Sequence, residues 1–430
     1  MHQLRRLREL RGAWGPLPPS GPRPRSGGEA IATLETGYPR GETGRLRPGS
    51  PDFALILATA MLLVVGLLAV YSASFALGEL EFGDTNYFIV RQAGAAVLGL
   101  GLLWFFMRMD YHHLYTLSLL MMVLALVGLL AVLVPGIGLE QNGAHRWLSL
   151  GPLPPLQPSE FAKLAIIVYI AAWLASRSEN IKHFSMGFVP FTLMVGLVAA
   201  LVVIEPDMGT TVVIVATTCT LFFVAGAPLS HLALLMAGGG FMSWVLIAIT
   251  DWRVDRITSF ISPESDPEGV GFHIIQLLIA LGSGGPVGLG WGESRQKFFY
   301  VPGSHTDGVF AIIGEELGFV GAVAVIALFS FLVYRGIRTA LNAHDLFGAY
   351  LAVGILSWIA YQTLINIGGI TRSIPMTGIP LPFISYGGSA LVSTMAGVGI
   401  LLSVSRYSRE KGYLDRQAPR ARFRFRRVTR

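Results

Sequence analysis

The stretch that decides the fold is residues 251–307, which reads DWRVDRITSFISPESDPEGVGFHIIQLLIALGSGGPVGLGWGESRQKFFYVPGSHTD. It mixes acidic and basic residues, and it is the only long polar connection between apolar segments of the chain. The apolar run 272–281 inside it is too short to cross a bilayer, which needs about 20 residues, so it predicts a half-span or an interfacial helix. Long connections in compact proteins are usually functional or disordered, and this one is too apolar and glycine-rich for disorder. We therefore predict that it holds the active site, with Asp266 at its centre.

The composition on either side of this connection is that of a membrane protein. The chain has 430 residues, of which 53% are hydrophobic and 13% are charged, whereas soluble proteins carry about 25% charged residues. The single cysteine, Cys219, lies in an apolar run. This excludes an intrachain disulfide framework and a cysteine-based metal site.

Ten apolar segments are long enough to matter, and each must be helical because backbone groups in lipid have no water to bond. The sequence therefore predicts an all-α polytopic membrane protein with ten transmembrane helices, and a large extracytoplasmic loop, 251–308, between helices 7 and 8. The segments are roughly 53–75, 88–108, 114–134, 159–176, 187–204, 208–227, 229–250, 309–333, 348–370 and 383–404.

Both ends of the chain are basic, which predicts their side of the membrane. The first fifty residues contain nine arginines and four glutamates, and the residues after 405 contain ten Arg or Lys and two acids. By the positive-inside rule, an even number of spans places both tails in the cytoplasm, against anionic lipid rather than nucleic acid. The Pro/Gly/Arg-rich tail 1–51 is predicted to be disordered and is not a signal peptide. The predicted organisation is tail 1–51, membrane domain 52–405 and tail 406–430.

Charged residues in or beside spans are costly, and are therefore functional candidates. Glu160 and Lys163 lie three residues apart, on one face of the fourth predicted helix. A structural ion pair and a substrate-binding pair are equally compatible with that spacing. Glu205 and Asp207 precede the sixth helix, where capping of the helix and a chemical role are both open.

The predicted outer side also carries two adjacent acids, Glu315 and Glu316, one of which we expect to face a polar cavity. Several basic residues on that side would suit a phosphate or pyrophosphate: Arg91, Lys163, Arg253, Arg256, Arg295 and Lys297. A carboxylate there could act as a general base, although a lone Asp before Pro, such as Asp266, is more often a turn former. No His, Cys and Asp spacing predicts a metal site, and no Walker loop or GxSxG motif is present.

Four stretches of the membrane part resemble the SEDS family (shape, elongation, division and sporulation proteins), especially its cell-division members. They are NGAHRWLSLGPLPPLQPSEFAKLA (142–165), EPDMGT (205–210), DPEGVGFHIIQLLIALGSGGPVGLGWGESRQKFFYVPGSHTDGVFAIIGEELG (266–318) and GIPLPFISYGGSALV (378–392). The resemblance covers roughly residues 52–408. It implies a ten-span fold and an enzyme that polymerises lipid II into glycan strands on the outer face of the plasma membrane.

The resemblance also implies roles for single residues. Asp266 matches the family's essential aspartate, and its expected role is that of a general base that deprotonates the acceptor sugar hydroxyl. Other residues in matching motifs become candidates for binding substrate or pyrophosphate: Glu160, Arg146, His305, Asp307, Glu315 and Ser385, beside the basic residues named above. Carboxylates next to pyrophosphate would suit Mg²⁺ or Mn²⁺, but no cofactor is required by the motifs.

The expected partners are lipid II, a class B penicillin-binding transpeptidase and other division-complex proteins, with no nucleic acid. The expected location is the bacterial plasma membrane at the division septum. Three alternatives stay open: an elongation polymerase of the same family, a transporter that flips lipid II, and a catalytically silent scaffold. Loss of glycan synthesis in an Asp266 variant separates a polymerase from the last two.

Overall fold

The computed structural model describes residues 48–407, apart from 142–143, 152, 266–268 and 299. Most of both predicted tails, and Asp266 itself, therefore lie outside the described residues.

Twelve α-helices make up most of the described residues. They are α1 (Phe53–Phe82), α2 (Tyr87–Arg108), α3 (His112–Val132), α4 (Pro158–Ser176), α5 (Val189–Ile204), α6 (Met208–Val224), α7 (Leu229–Ala248), α8 (Asp251–Ile261), α9 (Val270–Ser283), α10 (Val309–Leu341), α11 (Leu346–Ile370) and α12 (Gly388–Arg406).

The predicted all-α membrane fold is confirmed, because every predicted span forms a helix. In the described part of the chain, nine helices are long and apolar enough to cross a membrane. The sixth predicted span corresponds to α6, an apolar helix of 17 residues, which at 1.5 Å per residue is about 25 Å long. This is close to the thickness of the hydrocarbon core.

The structure adds two features that the hydrophobic pattern does not indicate. The connection 251–308 is partly helical, since it contains α8 and α9. A three-stranded antiparallel sheet, with strand order β1-β2-β3, lies between α3 and α4. Its strands are Gly138–Gln141, Ala144–Leu150 and Leu153–Leu156, and both strand pairs contain an irregularity in register. Short, irregular strands with prolines lack the regular alternation by which strands are recognised.

The centre of the bundle is formed by α4, α11 and α12. All residues of α12 from Ala390 to Ser405 are buried, and α2 packs along it. A Cβ atom on Gly399 would lie 2.6 Å from the Leu103 backbone oxygen, so glycine permits the close approach of α2 and α12. By contrast, α7 has no buried residue and lies at the periphery.

The connections between helices divide into two faces. We call the face that carries the sheet, α8 and α9 the loop face, and the opposite face, where residues 48–52 and 407 lie, the tail face. On the tail face, Gly49 N–H donates to the Arg406 carbonyl at 2.8 Å. Arg335 pairs with Asp52 at 2.6 Å. The two ends of the membrane domain are therefore held together at one face.

Candidate functional site on the loop face

The connection 251–308 is attached to α10 where that helix is interrupted. Gly318 has a non-helical conformation with φ +67° inside α10, which favours glycine. At this interruption Phe319 N–H donates to the Gly285 carbonyl at 2.8 Å, and Leu289 N–H donates to the Glu315 carbonyl at 3.0 Å. The glycine-rich segment after α9 is therefore fixed against α10.

Glu315 holds the following segment through its carboxylate. It accepts hydrogen bonds from Ser294 Oγ at 2.5 Å, from Arg295 N–H at 3.0 Å and from Gln296 N–H at 3.4 Å. Glu315 is 1% exposed. These bonds indicate that Glu315 positions the loop, while Arg295 takes part through its backbone and is exposed.

Glu316 and Lys297 form a buried ion pair beside this segment. Lys297 Nζ lies 3.0 Å from Glu316 Oε1 and donates also to the Gly292 carbonyl and to Ser72 Oγ on α1. Ser72 Oγ in turn donates to Glu316 at 2.6 Å. An ammonium group has three N–H donors, and all three have partners here. The expectation that Glu315 or Glu316 faces a polar cavity is therefore not supported, because both carboxylates bind the loop instead.

Glu160 and Lys163 form a second buried pair, between α4, α11 and α12. Lys163 Nζ donates to Glu160 Oε1 and to Gln362 Oε1, each at 2.8 Å. Trp358 Nε1 donates to the same Gln362 oxygen at 2.7 Å, and Gln362 Nε2 donates to the Pro380 carbonyl at 2.9 Å. The pair is thus connected to the chain segment that precedes α12 on the loop face.

Arg146 and the Glu205–Asp207 turn bring β2 against the start of α6. Arg146 Nε donates to the Glu205 carbonyl at 3.1 Å, and Nη2 donates to the Pro206 carbonyl at 2.5 Å. Asp207 caps α6 by accepting from Thr210 N–H at 2.9 Å, which is one of the two roles that its position before the helix left open.

Glu205 differs from Asp207 because its buried carboxyl group has no hydrogen-bond partner. Its side chain is 0% exposed, and neither carboxyl oxygen accepts a hydrogen bond. Burial, and to a lesser extent the charge of Asp207, raises the pKa of Glu205 to about 8, although Arg146 acts in the opposite direction. Glu205 therefore holds a proton at neutral pH.

Arg256 on α8 completes a group of charges that we call the charged cluster: Arg146, Asp207, Arg256 and Asp307. Burial, followed by repulsion from Arg146, lowers the pKa of Arg256, while Asp307 and Asp207 raise it. The only hydrogen bond from its guanidinium among those described is a long one, 3.4 Å, to the Met376 carbonyl. Two arginines held near each other with spare donors can bind an anion.

His273 on α9 also lies within electrostatic reach of this cluster. Burial lowers its pKa, and so does Arg256, whereas Asp307 raises it. Arg256 and His273 stand on the two helices that flank Asp266 in the sequence. The charged cluster is therefore built partly by the elements that border the predicted catalytic residue.

Three other candidates lie beside an aromatic group formed by α1, α2 and the segment before α12. Arg91 is exposed and its guanidinium carbon lies 4.1 Å from the centre of the Tyr87 ring. Ser385 Oγ accepts from Leu381 N–H at 2.8 Å. His305 packs between the rings of Phe88 and Tyr386. Burial lowers its pKa to about 4, so it is neutral at physiological pH.

Arg253 is the candidate that the structure separates from the charged cluster. Its guanidinium donates to the Leu246 carbonyl at 3.1 Å and to Thr250 Oγ1 at 3.0 Å. It therefore caps the end of α7 and stabilises the corner between α7 and α8. Its assignment to a phosphate-binding group stays a prediction, because both of these bonds come from one nitrogen of the guanidinium.

No metal site appears in the described residues, where no group of three or more His, Cys, Asp or Glu side chains could hold an ion. Asp266 and Glu268 lie outside that part of the chain.

Sequence reasoning missed Gln362 and His273. A signal was available for Gln362, because a polar side chain in the middle of an apolar span is costly.

A bundle of apolar helices with a charged cluster on one face defines a polytopic membrane protein with a polar site outside the spans. The family model described as "Cell cycle protein", which covers FtsW, RodA and SpoVE, matches residues 53–410. The chain belongs to this family, the SEDS family.

Two relatives show how closely the family is matched. Stage V sporulation protein E of Bacillus subtilis is 47% identical over 362 residues, which are 84% of this chain and 98% of that protein. The probable peptidoglycan glycosyltransferase FtsW of Geobacter metallireducens is 39% identical over 362 residues, 84% of this chain and 96% of the relative. The sporulation protein is thus more similar to this chain than the Geobacter FtsW is.

Solved structures share the fold. A chain of a peptidoglycan synthase complex that coordinates polymerization and crosslinking matches with a TM-score of 0.67 and 28% identity, covering 83% of this chain and 98% of that one. The rod shape determining protein RodA of Thermus thermophilus matches with a TM-score of 0.62 and 28% identity, and the match covers 83% of this chain and 97% of the RodA chain.

Proposed function

We propose that this chain polymerises lipid II into glycan strands at the loop face, which lies outside the plasma membrane. The chain is a peptidoglycan glycosyltransferase by family and by the names of its FtsW relatives. The observation that carries the site assignment is the charged cluster, where Arg256 lies within electrostatic reach of Arg146, Asp207 and Asp307. Arg256 stands on α8, one of the two helices that flank Asp266 in the sequence. A polyprenyl pyrophosphate substrate requires such donors outside the spans.

The proposed reaction is a displacement with inversion. Asp266 takes the proton from the acceptor sugar hydroxyl, and the oxygen attacks the anomeric carbon of the donor. The bond between that carbon and the pyrophosphate oxygen breaks, and its electron pair leaves with the lipid pyrophosphate. A positioned general base contributes about 10²–10⁴-fold to such a step.

Arg146 and Arg256 stabilise the charge that develops on the leaving group. Arg146 is pre-oriented by its bonds to the carbonyls of Glu205 and Pro206. Arg256 has donors that are not used by carboxylates in the described part of the chain. Preorganised donors of this kind typically contribute about 10²–10³-fold each.

The cellular setting is proposed from the relatives. Similarity to FtsW supports a role in septal wall synthesis with division-complex proteins, and similarity to a chain of a synthase complex supports a class B penicillin-binding transpeptidase as partner. The basic tails support a cytoplasmic location for both termini. The 47% identity to a sporulation protein favours, as a second candidate, the same chemistry in sporulation.

The test is glycan-chain synthesis from labelled lipid II by the purified protein with its transpeptidase partner, wild type beside Asp266→Asn. Chains from the wild type and none from a folded variant are the expected result. Equal chains from both would refute the role of Asp266. Lipid II translocation in liposomes without any chains would favour a transporter. Adding EDTA to the same assay tests a requirement for Mg²⁺ or Mn²⁺.

A further inference from the structure

The end of helix α8 is held by an arginine from a distant part of the chain. Arg372 follows Thr371, the C-cap of α11, and its Nε donates to the Phe260 carbonyl at 3.1 Å. Its Nη2 donates to the Ile261 carbonyl at 2.9 Å. These carbonyls belong to the last two residues of α8, where a helix has no N–H of its own to offer them. One guanidinium group therefore closes the C-terminal end of α8.

The backbone at Arg372 has a conformation that normally selects glycine. Its φ is +53°, in the left-handed region that is costly for a residue with a Cβ atom. Ser373 N–H donates to the Gly368 carbonyl at 2.8 Å, and Arg372 N–H donates to the Gly369 carbonyl at 3.2 Å. This is the Schellman arrangement, in which glycine is the usual residue at the left-handed position. Such a cost is typical of residues whose side chains have a role, and here the guanidinium group has one.

A second arginine connects the same two elements in the opposite direction. Arg256 on α8 donates to the Met376 carbonyl, in the segment between α11 and α12, at 3.4 Å. Arg372 belongs to that segment and donates to the end of α8. The bond from Arg256 is long, so it fixes α8 less firmly than the two shorter bonds from Arg372 do.

The connection through Arg372 ties α8 to the centre of the bundle. Near the start of α8, Arg253 donates to the Leu246 carbonyl on α7 at 3.1 Å, but α7 is peripheral and has no buried residue. Arg372, by contrast, follows α11, one of the three central helices. A side chain that must be placed accurately is held best by a rigid element. The position of Arg256 therefore depends on the contact that Arg372 makes.

We propose that Arg372 is a positioning residue of the polymerase, which sets the place of Arg256 in the charged cluster by holding the end of α8. The inference rests on the proposed function and adds to it a residue that orients one of the two anion-binding arginines. Arg372 takes part in no bond-making step and acts through Arg256. A misplacement of about 1 Å can lower a reaction rate about 10²-fold, so a smaller displacement of Arg256 is still measurable.

The test uses Arg372→Gly, which removes the guanidinium group and introduces the residue that φ +53° favours. The two lost hydrogen bonds are exposed, so the thermal unfolding temperature in detergent is expected to stay at the wild-type value or to rise. The kcat for glycan synthesis from lipid II is expected to fall about tenfold while KM changes little. This is the pattern for charge stabilisation that acts only in the transition state.

Two further variants serve as controls. Arg372→Ala removes the same guanidinium group but keeps the conformational cost, so it is expected to unfold at a lower temperature than Arg372→Gly and to have the same kcat. Arg177→Gly removes an exposed arginine from the end of α4 on the tail face. It is expected to keep the wild-type kcat.

The double variant Arg256→Ala/Arg372→Gly tests whether Arg372 acts through Arg256. Substitutions that act through one interaction are not additive. The double variant is therefore expected to be no slower than Arg256→Ala alone. A double variant that is slower by the full factor of Arg372→Gly would overturn the inference.

Three other results would overturn the positioning role and leave the polymerase standing. They are a wild-type kcat in Arg372→Gly, a KM that rises without a fall in kcat, and kcat values of the glycine and alanine variants that follow their unfolding temperatures. Absence of chains from the wild type would instead refute the proposed function, and the positioning role with it.

Discussion

The buried pair of Glu160 and Lys163 offers the sharpest test of how charge is used inside this membrane domain. Lys163 is 2% exposed and its ammonium group donates to Glu160 and Gln362, each at 2.8 Å. Lys163→Met keeps most of the length of the side chain but removes both bonds. Glu160 then keeps only a long contact, 3.4 Å from Ser393 Oγ.

The expected cost is large because a buried carboxylate loses its counterion. Breaking a buried ion pair by removing one partner typically costs about 3–5 kcal/mol. At 1.4 kcal/mol per factor of ten, this lowers the ratio of folded to unfolded protein about 10²- to 10³·⁵-fold. Replacing both charges is often neutral, so Glu160→Gln/Lys163→Met is expected to regain most of the lost stability.

The assay combines thermal unfolding in detergent with glycan-chain synthesis from lipid II. If the pair is structural, the double variant regains both stability and synthesis. If the pair binds substrate, the double variant regains stability without synthesis. A single Lys163→Met variant that unfolds at the wild-type temperature would refute the reasoning, because it would show that Glu160 does not depend on Lys163.

Three further outcomes follow from the loop face. The pKa of Glu205 is raised in the folded state to about 8, so its contribution to the free energy of unfolding is full below about pH 4.5 and is lost as the pH rises to 8. Glu205→Gln should therefore unfold at a higher temperature than the wild type at pH 8. The difference between the two unfolding temperatures should vanish towards pH 4.5. Lys297→Met is expected to lower the free energy of unfolding by about 3–5 kcal/mol, because it leaves Glu316 without its ion-pair partner. Thermal unfolding measures this loss, and the double variant with Glu316→Gln should recover most of it. Arg256→Ala should lower the rate of glycan synthesis about 10²-fold or more. Arg253→Ala is the control, because it removes the same charge outside the charged cluster. If Arg256→Ala lowers the rate no more than Arg253→Ala does, the charged cluster is not an anion site.

The order of the membrane helices could be predicted from sequence because a long apolar run that crosses lipid must form an α-helix. A helix satisfies its own backbone within the segment, so no information from the rest of the chain is needed. The same local logic offered capping of α6 as one of two roles for Asp207, since an acid directly before a helix reaches the first free N–H groups.

The partners of the charged residues could not be predicted in this way. Glu315 and Glu316 are adjacent and chemically alike, yet one binds the loop backbone and the other binds Lys297 and Ser72. Lys163 was recognisable as half of a pair with Glu160, but its bond to Gln362 joins residues 199 positions apart. Arg253 and Arg256 lie one helical turn apart, but Arg253 donates to the end of α7 whereas Arg256 donates to the Met376 carbonyl. Such choices depend on where distant helices place their side chains.

The sequence by itself therefore determined that this protein is a ten-segment membrane bundle of the SEDS family with one long polar connection between its apolar segments. Those properties depend on hydrophobicity, local backbone chemistry and motif order, which are written along the chain. Only the tertiary structure decided that Arg146, Asp207, Arg256 and Asp307 form one cluster, and that the buried carboxyl group of Glu205 has no hydrogen-bond partner. The physical reason is that electrostatic interactions and burial act through space, between residues that the sequence keeps far apart.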